Sequence, residues 1–137
     1  MRRSSFLILS AAVALGCSDS PSGPPDTSVP LGIWGSGEAS LTLTDTTSTL
    51  KILRSGCVGA YGTISQPIMP GGFALPGIYT ELIGAAPGKR EYAAQFSGTV
   101  EDRQMSITIT VPSLQQDFGP YTLTYGVSND WTMCLYP

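Results

Sequence analysis

Past residue 30, apolar and polar side chains alternate with a period of two, the mark of strands that bury one face and wet the other. The alternation is clearest in MSITITV, where Met105, Ile107, Ile109 and Val111 face one way and Ser106, Thr108 and Thr110 the other. It recurs in ASLTLT, with Ala39, Leu41 and Leu43 inward. It recurs again in YAAQFSGTV, with Tyr92, Ala94, Phe96, Gly98 and Val100 inward, and in YTLTYGV, with Tyr121, Leu123, Tyr125 and Val127 inward. Weaker runs of the same kind occupy residues 49–53, 58–64, 73–83 and 131–136. Between them stand turn signals: TDTTS, Ser55-Gly56, SQPIMPGG, APGK, EDRQ, SLQQDFGP and SND. No stretch here repeats apolar residues at helical spacing over three turns.

About eight short strands in succession predict an all-β fold, a small antiparallel up-and-down barrel. At that strand number a closed sheet is just filled by its own side chains or holds one small ligand, and closure removes the exposed edges that invite aggregation. A β-sandwich is the alternative. Its immunoglobulin form carries a buried Trp between two paired cysteines and a Tyr two residues before the second. Here Trp131 alone lies between Cys57 and Cys134, and position 132 is Thr.

The first thirty residues follow a different pattern. Arg2 and Arg3 precede an apolar run at residues 6–16, followed by a Ser, Pro, Gly and Asp segment with no aliphatic residue until Val29. A basic start and a short apolar run have the form of an export signal, and the run is too short for a membrane helix of roughly 20 residues. The ALGC stretch, Ala14 to Cys17, resembles the lipobox of bacterial lipoproteins. That resemblance implies cleavage after residue 16, a diacylglyceryl group on the Cys17 thiol and, with Ser18 next, sorting to the outer membrane; Ala14 and Gly16 also satisfy the small-x-small rule of ordinary signal peptidase, and the alternative is plain secretion with Cys17 removed or free. The expected organisation is a signal peptide at 1–16, a flexible tether at 17–30 and a barrel domain at 31–137. Three cysteines leave an exported chain with an odd thiol. With lipid on Cys17, the remaining Cys57 and Cys134 can pair, a link the chain-entropy model values at about 4 kcal/mol.

Two further resemblances concern the domain. Gly32-Ile33-Trp34, ahead of the first clear strand, resembles the opening Gly-x-Trp motif of the lipocalin and avidin-like (calycin) barrels, in which the Trp plugs one barrel end. Those families add a basic residue on the last strand against the Trp, and no Lys or Arg follows Arg103 here. The set GGFALPGIY, FSGTV and MSITITV also resembles small exported bacterial domains, a likeness that brings no activity with it.

Charge and composition narrow the function. Cleavage after residue 16 removes Arg2 and Arg3 and leaves Lys51, Arg54, Lys89, Arg90 and Arg103 against ten Asp and Glu, a balance that opposes nucleic-acid binding. The chain has no His, hence neither the commonest general base nor the commonest metal ligand. No G-x-S-x-G elbow is present. SGCVG at 55–59 puts a Cys on a turn, but an oxidising compartment favours a disulfide there. Glu101 and Asp102 read as a solvated turn beside Arg103. The expectation is a protein that is not an enzyme and uses no cofactor or metal.

What remains is a binding role. Glu81 shares a face with Phe73, Leu75, Tyr79 and Ile83. If that face is inward, Glu81 is a buried charge in need of a partner; a bulge at Pro76-Gly77 would instead turn it outward. Trp34, Tyr92, Phe96, Tyr121 and Tyr125 either line a ligand pocket with Glu81 or simply fill the interior. In the loop SQPIMPGG, Ile68 and Met69 are expected to be exposed between prolines and to form a contact surface. The predicted function is therefore a lipid-anchored envelope protein that binds a small apolar ligand or another envelope protein. The alternative is an inhibitor that inserts a protruding loop into an extracytoplasmic hydrolase.

Overall fold

The computed structural model describes residues 28–83 and 88–134. The segment expected to be an export signal, the expected lipidation site Cys17 and the expected tether up to residue 27 lie outside the described residues, as do residues 84–87 and 135–137. The eight strands are β1 (Gly32–Gly35), β2 (Ala39–Leu43), β3 (Ser48–Arg54), β4 (Cys57–Ile64), β5 (Gly71–Leu82), β6 (Lys89–Glu101), β7 (Gln104–Val111) and β8 (Gln116–Tyr125). Each pairs antiparallel with the next and β8 returns to β1, so the sheet is a closed up-and-down barrel. Residues 28–31, the β2–β3 and β6–β7 turns and the β4–β5 loop gather at what we term the near end. The other connections lie at the far end.

The strand number matches the expectation, but the membership differs. Gly32–Gly35 pairs with both neighbours and forms β1. The terminal WTMCLY stretch stays outside the barrel, and its only ladder contact among the described residues is an isolated parallel bridge from Met133 to Val58. Val127, expected inward, lies beyond the end of β8 and is 40% exposed. The SLQQDFGP stretch is not all turn. A 3-10 turn at Pro112–Leu114 and a left-handed Gln115 end the connection, and β8 begins at Gln116.

Local chemistry sets the tight connections. Ser55 and Gly56 both take positive φ, 52° and 86°, the conformation of a two-residue hairpin whose twist matches its strands. Thr44 Oγ1 accepts the Thr47 amide at 3.0 Å and Ser36 Oγ accepts the Ala39 amide at 3.1 Å, side-chain turns of the kind that Ser and Thr favour.

The alternating apolar residues meet inside. Trp34, Leu41, Leu50, Ile64, Tyr79, Phe96, Ile107, Ile109 and Leu123 are fully buried. Removing each such side chain from water contributes on the order of 2 kcal/mol. Phe96 occupies the middle of the barrel. A Cβ at Gly62 would sit 2.5 Å from its ring and one at Gly77 2.7 Å from it, so two glycines on neighbouring strands make room for the aromatic.

Two bulges re-aim side chains. The β3–β4 register slips between Ile52 and Leu53: Ile52 faces Ala60, Leu53 faces Val58, and Gly59 is the extra residue. The β7–β8 register slips where Ile107 faces Tyr121 and Ile109 faces Phe118, with Gly119 at φ 98° and Pro120 between them. An extra residue bends a strand and shifts its facing, so Phe118 and Tyr121, three apart in sequence, both pack against the core.

Cys57 and Cys134 form a disulfide across a sequence separation of 77. It joins the start of β4 to the segment after β8, not to the last strand itself. Backbone bonds from Val58 N to the Thr132 carbonyl (2.8 Å) and from Cys134 N to the Val58 carbonyl (3.0 Å) flank it.

Candidate functional site

The residues expected to line one pocket separate to two ends of the barrel, and the reason is the stagger that closure demands. Pairing connects Trp34 to Leu41, Leu41 to Leu50, Leu50 to Gly62, Gly62 to Tyr79 and Tyr79 to Tyr92. In β6, pairing with β7 begins only at Gln95, so this row leaves the sheet beyond the end of β7. Residues of one row thus climb from the near end at Trp34 to the far end at Tyr92, with Phe96 filling the space between.

At the far end, Glu81 faces inward. The β5–β6 register runs unbroken from Gly71 to Leu82, so Pro76 and Gly77 introduce no bulge. Glu81 Oε1 lies 3.5 Å from Arg54 Nη1 and accepts the Tyr79 hydroxyl at 3.3 Å, while Arg54 Nη2 donates to the Tyr79 oxygen. The Tyr79 ring stacks on Phe118 at 4.7 Å and lies 6.3 Å from Tyr92. The Arg54 guanidinium stands 5.5 Å over the Phe118 ring. Burial, and after it the balance of Arg54 and Glu81, pushes the Tyr79 hydroxyl well above the ordinary tyrosine range. Burial also raises Tyr121. Arg54, Tyr79 and Glu81 thus bond to one another in a connected polar network at this end of the barrel. Glu81, Tyr92 and Tyr121 were legible from sequence. Arg54 continues the inward face of Leu50 and Ile52 in β3 but was missed because the apolar run ends at Leu53; Phe118 was missed because the bulge at Gly119-Pro120 places it.

At the near end Trp34 is fully buried, and its indole donates to the Pro30 carbonyl at 3.0 Å. Tyr125 meets the indole edge-on at 5.3 Å and donates its hydroxyl to the Leu31 carbonyl at 3.1 Å. Arg103 lies over the outer side of this pair, 5.1 Å from the Tyr125 ring. A basic residue does reach the Trp34 region, therefore, from the β6–β7 turn and through a tyrosine. These two hydrogen bonds hold the chain at Pro30 and Leu31 against the barrel and bury Val29, 7% exposed, although the pattern placed it in the tether.

The chain held there is one wall of an apolar cleft of about 170 Å³, which the β2–β3 turn and the β4–β5 loop complete. Val29, Leu31, Leu43, Pro67, Ile68, Met69 and Pro70 line it, with Asp45 at its side. The expectation that Ile68 and Met69 are both exposed is half corrected. Met69 is 60% exposed, whereas Ile68 is 5% exposed and belongs to the core. The loop lies down on the barrel end because Ile68 is large enough to be buried there and the flanking prolines set its course. Among the described residues, no group of three or more His, Cys, Asp or Glu is placed to hold a metal ion. Comparison with known proteins finds no matching family model, curated protein or solved structure.

Proposed function

We propose that the chain is an exported lipoprotein, anchored to the cell envelope, whose barrel is a non-catalytic module that binds another envelope protein at the near end. The observation that carries this reading is the apolar cleft beside the exposed Met69 and Leu31 (60% and 54%). Contiguous exposed apolar surface marks interaction sites, and interface hot spots are pockets that take a single buried anchor. A space of about 170 Å³ is below the 300 Å³ or so of pockets that enclose small-molecule ligands. Phe96 occupies the barrel centre where a carrier of the open kind would hold its ligand. The β4–β5 loop is laid down over Ile68, whereas an inhibitor of a hydrolase cleft needs a loop that stands off. Lipid on Cys17 and a tether ending near this cleft would hold the module at a membrane while leaving it free to turn toward a partner.

The test is site-specific photocrosslinking in the cells that produce the protein. A photoreactive residue at Met69 should give a discrete protein adduct, and one at the exposed far-end Ser113 should not. Equal labelling from both positions, or none from Met69, would remove the reading. Mass analysis of the mature N-terminus tests the anchor, with a diacylglyceryl mass on Cys17 expected.

A further inference from the structure

We infer that the near-end cleft takes one leucine- or phenylalanine-sized side chain from a protein segment in which basic residues flank it. The inference rests on the proposed docking role and adds the chemistry of what docks. Three observations carry it. First, an apolar cavity of about 150 Å³ admits a benzene-sized group, so about 170 Å³ fits one large side chain and excludes a bulky ligand. Second, the lining is apolar at Leu31, Leu43, Pro67, Ile68 and Met69, with no lysine or arginine among its residues. Third, the near end is acidic. Asp45 borders the cleft, and the exposed Glu101 and Asp102 stand at the β6–β7 turn of the same end. The near-end cation Arg103 lies over Tyr125, the exposed Lys51 sits mid-strand in β3 opposite Ser40 and Tyr61, and Arg54, Lys89 and Arg90 belong to the far end. Such a field favours a basic flank and opposes an anionic lipid surface.

The experiment is an amide chemical-shift titration of the mature, disulfide-bonded chain at low salt with three blocked tripeptides: acetyl-Lys-Phe-Lys-amide, acetyl-Glu-Phe-Glu-amide and acetyl-Lys-Ala-Lys-amide. Saturable shifts at Val29, Leu43 and Ile68 are expected with the first. Binding should be at least tenfold weaker when Ala replaces Phe, and about fivefold weaker when Glu replaces Lys, a gap that salt and Asp45→Asn both narrow. Met69→Lys should abolish the response while the remaining amide spectrum stays that of the folded barrel. Equal binding of the Phe and Ala peptides, equal binding of the Lys and Glu peptides, or shifts centred elsewhere would overturn the inference. So would Met69-dependent partition onto phosphatidylglycerol vesicles, or a Met69-dependent dimer in light scattering. If the Met69 crosslink persists while the peptides fail to discriminate, the side-chain chemistry is wrong and the docking role stands; if both fail, the docking role falls as well.

Discussion

Phe96 shows how one side chain decides what the interior can do. The alternation of YAAQFSGTV puts it inward, and there the structure agrees. The pattern does not say whether an inward aromatic lines a space or fills it, since that depends on what faces it from strands distant in sequence. Gly62 and Gly77 face it, and their missing Cβ atoms are what the ring occupies. Gly62→Ala should therefore destabilise the barrel by about 1–3 kcal/mol through overpacking. In a Phe96→Leu background the same change should be milder, because the smaller side chain leaves room, and the difference is a coupling between contacting residues. Urea denaturation of the four proteins of the cycle measures it; additive effects would mean that the ring and Gly62 do not share the space. Glu81 is a second case. Its inward facing was legible from Phe73, Leu75 and Tyr79, but its partner Arg54 was not: it extends the Leu50 and Ile52 face of β3 by one step, and which strand end meets Glu81 depends on the closed sheet.

Elements were legible where alternation runs unbroken and illegible where it slips. ASLTLT, YAAQFSGTV and MSITITV appear as β2, most of β6 and β7, with the expected faces inward. The β8 start was lost because Gly119-Pro120 reads as turn chemistry, although in the barrel it is the bulge that brings Phe118 beside Tyr79. β1 was underrated because four residues are too few to display a period. The far-end cluster that this bulge completes has a consequence in alkaline solution. Burial raises the Tyr79 hydroxyl above its ordinary value, which in an unfolded chain is about 10. The folded state thus holds that proton more tightly than the unfolded one. The associated stability is complete below about pH 10 and declines as pH rises above it. Tyr121 is shifted in the same direction by burial and adds to the slope. Tyr79→Phe should flatten the loss of unfolding free energy between pH 9 and 11, measured by denaturant melts, even if it lowers stability at neutral pH by removing the hydroxyl's bonds to Arg54 and Glu81. An unchanged slope would place the ionisation elsewhere.

At the scale of the molecule, the strand count and turn spacing pointed to a closed sheet over a sandwich but not to how the candidate residues are distributed around it, because stagger is a property of all eight registers together. The same stagger leaves the closing seam short. β1 meets β8 only at the pairs Trp34–Tyr125 and Gly35–Thr124, against seven pairs between β7 and β8. The segment after β8 reinforces that seam from outside. Gly126 N donates to the Ile33 carbonyl at 2.7 Å, Asn129 Nδ2 donates to the Ser36 carbonyl at 2.9 Å, and the chain then reaches β4, where the disulfide fixes it. The link acts as the buckle of a strap across the closure. Its loss should lower stability by about 4 kcal/mol through the entropy of the unfolded chain, a large share of a typical 5–15 kcal/mol. A strap makes a further, local demand that the entropy model alone does not. In a Cys57→Ala, Cys134→Ala protein, under conditions where the barrel remains folded, amide exchange should accelerate first at Gly126, Val58 and position 134, and less in the β5–β6 pairing, which twelve residue pairs hold. Uniform acceleration across all strands would show that the disulfide acts on the unfolded state only, and that the seam holds by its two pairs and the packing of Trp34 beneath them.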